Sequence, residues 1–401
     1  MALDALTLYD FAMKTRLASL DIFRGIAVAG MILVNNPGSW DDDFPALLHS
    51  TWDGCTLADL IFPCFLFISG VSIPLSRETR LARGADRGEL TRNILRRGAL
   101  MLALGLLVTW FTGYDWHGGF VDHLKDWRLP GVLQRIAIVY TAAALLDLQA
   151  RPWQRAGLGV ALLLGYWAAM TLIPVPGSGA VGTAALSVPN GTLAAYVDRL
   201  LFDWGDWGNH LWYLADPPAS WDPEGVLSTV PAIVTGLLGV AAGRWLQKPL
   251  PLTRRLAGLA LGGGVLVALG YLWDLAFPIN KALWTSSYVL LAGGYAALTL
   301  SALGWVADVR GFTRWALPFS VFGTNAILAY AGDEIVGSLL YKIGLVPADN
   351  GRIDLASAFY HMIVLPRFEP RTASLVFALC MVAFWGAVLT VLYRRRIFLK
   401  I

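Results

Sequence analysis

Two stretches of this chain place ionisable and amide side chains where the surrounding residues are apolar. In the first, Asp21, Arg24, Val28, Met31 and Asn35 recur at i, i+3, i+7, i+10 and i+14, which is one stripe of a helix. At 1.5 Å per residue, Asp21 and Asn35 stand about 21 Å apart, so a single stripe links two ends of one element. Gly25 and Ala29 lie beside it and allow a neighbouring helix to approach closely. In the second, His49 precedes an apolar run and Asp59 lies about one turn inside it. Ionisable groups within apolar spans are costly and mark substrate paths or proton relays, which makes Asp21, His49 and Asp59 candidates for moving a proton. A plainer alternative stands beside this one. Asp21 and Arg24 pair at a helix start, Asn35 closes the helix, Asp59 is an acid favoured by a helix N-terminus, and His49 is a solvated loop residue.

The elements that must carry these residues follow from composition. Of 401 residues, 56% are hydrophobic and only 15% are charged, against about 25% charged in an average soluble chain. This predicts an all-α polytopic membrane protein. A bilayer core about 30 Å thick needs roughly 20 apolar residues, and about ten such runs appear. They are 18–36, 55–75, 95–113, 131–149, 156–174, 226–246, 255–277, 284–304, 316–340 and 373–393. The ninth contains Asn325, Asp333 and Glu334 and must face other helices. The fourth contains Arg135, read either as a ligand-site residue or as the partner of an intramembrane Asp such as Asp274.

Cations set the orientation. Arg77, Arg80, Arg83, Arg87, Arg92, Arg96 and Arg97 follow the second run, and Arg151, Arg155, Lys248, Arg254, Arg255, Arg310, Arg314, Arg394 to Arg396 and Lys400 fall on the same side. Both termini are therefore expected in the cytoplasm, with external loops near 37–54, 114–130, 175–225 and 341–372. All five His (His49, His117, His123, His210, His361) fall in those loops. Their many Trp serve either as an interfacial belt or as a carbohydrate-facing surface. The first fifteen residues carry two Asp and no long apolar core, so no cleaved signal peptide is expected. No internal repeat divides the chain, and 1–401 reads as one integral-membrane domain. No zinc or disulfide framework emerges from three Cys, and a net charge of +3 gives no basic face for nucleic acid. No metal site is expected, and Cys55 and Cys64 read as packing residues.

Several blocks occur together: R-L-A-S-L-D-I-F-R-G (16–25), V-N-N (34–36), H-S-T-W-D-G-C-T-L-A-D-L-I-F-P-C-F-L-F-I-S-G (49–70), L-P-G-V-L-Q-R-I-A (129–137), D-P-E-G-V-L-S-T (222–229), P-I-N-K-A-L-W-T-S-S-Y-V (278–289) and G-T-N-A-I-L-A-Y (323–330). Over about residues 16–395 the sequence resembles the heparan-α-glucosaminide N-acetyltransferase family. It looks like a bacterial member, lacking the luminal domain and extra leading span of the lysosomal enzyme. The resemblance implies an enzyme that takes acetyl-CoA on the cytoplasmic side and acetylates an amino sugar on the far side, in a bacterial inner membrane. The family's catalytic His falls on His49, and the Asn of the same site falls on Asn35. A small glucosamine-bearing sugar or cell-wall fragment is the expected acceptor, and a homodimer is suggested by the resemblance alone.

Acetyl transfer to an amine needs a base, a polarised thioester carbonyl and a route for CoA. An imidazole, with an ordinary pKa of about 6.5, accepts a proton near neutral pH, which suits His49 as base or, in a ping-pong route, as acetyl carrier. Asn35 offers an amide N–H to the oxyanion, and Asp59 orients His49. The cofactor-side candidates are Arg24, Asp21, Arg96, Arg97, Arg135 and Ser286, the arginines because guanidinium matches phosphate oxygens. Acceptor-side candidates are Trp52 as a stacking platform, with Asp222, Glu224, Asn280, Lys281 and Asn325. Two alternatives remain open: a proton-coupled amino-sugar transporter using Asp21, Asp59 and His49, and a glycan O-acyltransferase on the same fold.

Overall fold

The computed structural model describes residues 17–114, 119–211, 221–348 and 351–399; the first fifteen residues, His117 and Lys400 named above lie outside them. In chain order the helices are α1 (Ala18–Asn35), α2 (Leu57–Leu81), α3 (Arg87–Gly113), α4 (Phe120–Lys125), α5 (Val132–Gln149), α6 (Pro152–Leu172), α7 (Gly182–Leu186), α8 (Leu193–Phe202), α9 (Val226–Leu246), α10 (Leu252–Asp274), α11 (Ser286–Gly304), α12 (Leu317–Thr324), α13 (Ala326–Lys342), α14 (Leu355–Phe359) and α15 (Pro370–Arg394). Among the described residues, nine helices are long and apolar enough to cross a membrane. The protein is an all-α polytopic membrane protein.

Burial sorts these spans into inner and outer sets. The apolar stretches of α2 and α9 are 72% and 67% buried, whereas those of α3, α6 and α10 are 22% buried and offer their remaining surface to lipid. Small residues bring the inner helices together, because packing in lipid relies on close backbone approach rather than on expulsion of water. A Cβ at Gly25 of α1 would collide with the Phe319 carbonyl of α12, and one at Gly323 would collide with the Asp21 carbonyl of α1. Gly70 of α2 abuts the Gly236 carbonyl of α9 in the same way. Side-chain caps start the helices: the Asp86 carboxylate accepts from Glu89 N at 2.7 Å, and Asp354 accepts from Ser357 N at 2.8 Å.

The ninth expected span is two helices rather than one. Asn325 leaves helical geometry at φ −127°, ψ 41°, between α12 and α13. Its amide donates to the Ile397 carbonyl at 3.1 Å and accepts from Leu399 N at 2.9 Å, so the break is tied to the segment after α15. The polar groups of that run are thus satisfied by protein, as a broken helix in a membrane requires. In the expected 341–372 loop, β1 (Gly344–Ala348) and β2 (Gly351–Asp354) pair antiparallel, a hairpin that hydropathy did not signal.

At one end of the bundle Arg77, Arg155 and Arg244 converge on the buried Asp147, at 3.1, 3.1 and 2.7 Å. This arginine end joins α2, α5, α6 and α9. The opposite end carries His49.

Candidate active site

The segment between α1 and α2 turns back so that its last residues can start α2. Asp59, at the third position of α2, accepts from Thr56 N at 2.9 Å and from Ser50 N at 3.1 Å through one carboxylate oxygen, Oδ2. Its other oxygen, Oδ1, lies 2.9 Å from His49 Nδ1. One buried carboxylate therefore closes a helix and holds an imidazole, and both sequence readings of Asp59 apply at once. With Nδ1–H donating to Asp59, Nε2 is the ring nitrogen that carries the in-plane lone pair. The His49 side chain is 40% exposed while that of Asp59 is fully buried.

The loop after α10 delivers Lys281 to the same place. Asn280 is fully buried and pins this loop: its N donates to Thr285 Oγ1 at 3.0 Å, its Oδ1 accepts from Leu283 N at 2.9 Å, and its Nδ2 donates to Asp53 Oδ1 at 3.2 Å. Trp284 closes the turn in the left-handed region, at φ 52°, an unusual backbone for a bulky residue. Lys281 Nζ stands 3.0 and 3.1 Å from the two His49 ring nitrogens and 3.6 Å from Asp59 Oδ1. An atom equally close to both nitrogens would overlap Cε1 if it lay in the ring plane, so Nζ sits over the ring face. Burial lowers the proton affinity of Lys281, opposed by the charges of Asp59 and Glu224.

These groups line one cavity of about 740 Å³. Asn35, at the end of α1, is on its wall, with Nδ2 3.4 Å from Glu334 Oε1. Trp52 lines it too, donating through Nε1 to the Leu186 carbonyl at 2.7 Å and meeting Trp221 edge-on. Glu224 reaches the cavity, and Asp222 stands behind it. Arg128 bridges them, at 2.9 and 2.7 Å to Asp222 and 2.5 Å to Glu224. Burial alone would raise the Glu224 carboxyl, but the Arg128 charge holds it below its ordinary value.

The cofactor-side candidates are placed elsewhere. Asp21 and Arg24 pair at 3.2 Å at the far end of α1, where Arg24 also donates to Ser72 Oγ at 2.7 Å. Arg96 is exposed, and Arg97 covers the Tyr140 ring. Arg135 is 1% exposed; it donates to the Pro223 carbonyl at 2.7 Å and Ser228 Oγ at 2.6 Å and lies over the Trp284 ring. It clamps the segment carrying Glu224 and makes no pair with Asp274, whose carboxylate instead accepts from Ile279 N. Ser286 donates to the Leu163 carbonyl, and Asn325 forms the helix break.

Sequence reasoning did not single out Arg128, Trp284, Asp333 or Glu334 as site residues, though all line the cavity. Two signals were available: an Arg in a loop poor in cations, and adjacent acids within an apolar run. Asp333 accepts from Asn36 Nδ2 at 2.8 Å, joining α13 to the end of α1.

Residues 16–196 match the family model described as "Heparan-alpha-glucosaminide N-acetyltransferase, catalytic". That region contains His49, Asp59 and Asn35. The chain is 32% identical, over 438 aligned positions and 97% of its length, to the human heparan-α-glucosaminide N-acetyltransferase. It is 31% identical over 433 positions, 96% of its length, to the Mus musculus protein of the same name. It spans 60% of the length of each of these curated relatives. Within the family match fall α1, α2 and the segment that joins them, the same elements that build the His49–Asp59 couple.

Proposed function

We propose that this protein is a transmembrane acetyltransferase of a bacterial inner membrane, moving acetyl from cytoplasmic acetyl-CoA to the amine of a glucosamine-type sugar on the outer side. The observation that carries the reading is the His49–Asp59 couple on the wall of a large cavity that also presents Asn35 and the carboxylates Glu224 and Glu334. The arginine end is the cytoplasmic one under the positive-inside rule, and the His49 end is the outer one.

An amino sugar enters as an ammonium, and the carboxylates on the wall favour a cation there. The ammonium releases one proton to solvent to become the free amine; His49 Nε2 takes a second nitrogen proton as the bond to the acetyl carbon forms, and the developing imidazolium is held by Asp59. The freed amine nitrogen attacks the thioester carbonyl carbon, the Asn35 amide donates to the oxyanion, and the C–S bond breaks. An oriented donor of this kind is worth roughly 3 kcal/mol. The acetyl end must reach the cavity while the CoA nucleotide stays near the cytoplasm. Arg24 stands seven residues below Met31, the deepest α1 residue on the cavity wall, about 10 Å by helix rise.

Acetyl transfer from labelled acetyl-CoA to glucosamine by the purified protein in detergent tests the reading. Product is expected from the wild type, with a fall of about 10²- to 10⁴-fold in His49→Ala. A wild type that binds acetyl-CoA but acetylates no amino sugar would overturn the acceptor assignment. Failure to bind acetyl-CoA would overturn the enzyme.

A further inference from the structure

Lys281 is the one member of the His49 group whose chemistry the scheme above leaves unused. Its side chain is 20% exposed, toward the cavity. An ammonium carries three donors, yet among the described residues Nζ has no oxygen within hydrogen-bonding distance, since Asp59 Oδ1 is 3.6 Å away. Asp59 does not lack partners either: His49 Nδ1, Ser50 N and Thr56 N already serve its two oxygens. Lys281 is near enough to balance the Asp59 charge but stands outside hydrogen-bonding distance of it, so its donors are not used up there. Nor does Lys281 block the base, because it lies over the face of the imidazole and leaves the in-plane Nε2 lone pair open.

The backbone that presents this lysine is costly to build. A bulky Trp284 is held in the left-handed region beside it, and Asn280 is committed on both sides to the turn. Strain of this kind persists where the surroundings over-determine it, characteristically at functional sites.

Charge balance states what the free donors await. At rest, Lys281 and Asp59 carry +1 and −1 and His49 is neutral. When His49 takes the proton of the acceptor amine, a second positive charge appears about 3 Å from Nζ. Two such charges repel strongly in a partly desolvated site, unless negative charge forms beside them or Lys281 gives up its own proton. Both occur in acyl transfer from a thioester: the carbonyl oxygen becomes negative, and the sulfur leaves as a thiolate.

We infer that Lys281 is a catalytic residue, the general acid that protonates the departing CoA sulfur while His49 acts as base. This rests on the acetyltransferase reading above. The step balances: the bond from acceptor nitrogen to acetyl carbon forms, the carbon–sulfur bond breaks, one amine proton goes to His49 Nε2, and the Nζ proton goes to sulfur. Neutral Lys281 then recovers a proton from the neighbouring imidazolium, which returns both groups to their starting states. Burial, by lowering the proton affinity of Lys281, brings the amine closer to a thiol, whose ordinary pKa is about 8.5. A single protonation cycle thus runs between the two stacked side chains.

The test compares wild type, Lys281→Arg and Lys281→Met in acetyl transfer to glucosamine, with kcat and KM measured across pH. Wild-type kcat is expected to fall on the alkaline side as Lys281 loses its proton. Arginine keeps the charge but does not release a proton, so Lys281→Arg should lose that alkaline limb and about 10² in kcat, with KM for acetyl-CoA within a few-fold. Lys281→Met should lose at least as much. A Lys281→Arg profile that keeps the wild-type alkaline limb, or a Lys281→Met kcat equal to wild type, overturns the assignment while leaving the acetyltransferase reading intact. A change confined to KM makes Lys281 a binding residue and also overturns it. A wild type that transfers no acetyl group removes the reading and this inference together. Because the wild-type limb and the arginine variant are separate readouts, misfolding of the methionine variant leaves the test decisive.

Discussion

Asp59 and Asp147 lie near opposite ends of the bundle, and the side chains of both are fully buried. Each is surrounded by donors, but of different kinds. Asp147 is held by the guanidiniums of Arg77, Arg155 and Arg244, projecting from three helices. Asp59 is held by an imidazole and two backbone N–H groups, all from one returning loop, with an ammonium just beyond. The cost of burying a carboxylate is similar in both places. Guanidiniums do not change protonation, so the Asp147 cluster can only be made or broken. The groups around Asp59 gain and lose protons, so that cluster can do chemistry without coming apart.

The sharpest way to break this contrast is Asp59→Asn. The amide keeps the size and can still accept from Thr56 N, but it no longer fixes the His49 tautomer. A loss of about 10³ in kcat is expected with the thermal midpoint little changed; a large drop in midpoint at unchanged kcat would make Asp59 a structural carboxylate like Asp147. Asp147→Asn should show the opposite pattern. It leaves three guanidiniums short of a full negative charge and should cost about 3 kcal/mol in stability, read by thermal unfolding in detergent, with kcat per folded molecule preserved.

The smallest effect concerns a third buried carboxylate. Asp198, in α8, accepts from Val226 N at 2.8 Å through one oxygen, while its other has no hydrogen-bond partner among the described residues. Burial lifts it to about 7, against about 3.9 when unfolded. The native state therefore holds the proton more tightly, and stability falls as pH rises from about 4 to 7, then levels. Asp198→Asn removes this titration. Its thermal midpoint should exceed wild type by a few degrees at pH 8, with the gap closing toward pH 4; a gap independent of pH would remove the titration as its cause.

Span positions were legible in the sequence because a membrane fixes the length of an apolar run. The couple of His49 and Asp59 was also legible, since both belong to one local turn closed by a helix start. Residues whose position depends on a distant partner were not. Arg77 and Arg155 looked like topology signals, because nothing in their neighbourhood announces that Asp147 draws them together. Asp333 and Glu334 stood out as unfavourable in lipid, but only packing shows that α13 turns them toward the end of α1. The arginines proposed for CoA phosphates fall outside the cavity, since a helix stripe gives direction along the bundle without saying where the space between helices opens.

The joint at Asn325 has a practical consequence. Its amide grips the chain at Ile397 and Leu399, directly after α15, and the helix that departs from it carries Asp333 and Glu334 to the cavity wall. A fusion partner or truncation placed at residues 397–399 would therefore pull on a helix break at the opposite end of the bundle from His49. Affinity handles for purification are better inserted in the Arg-rich segment between α2 and α3, where Gly84 has open space around it, than attached beside that grip.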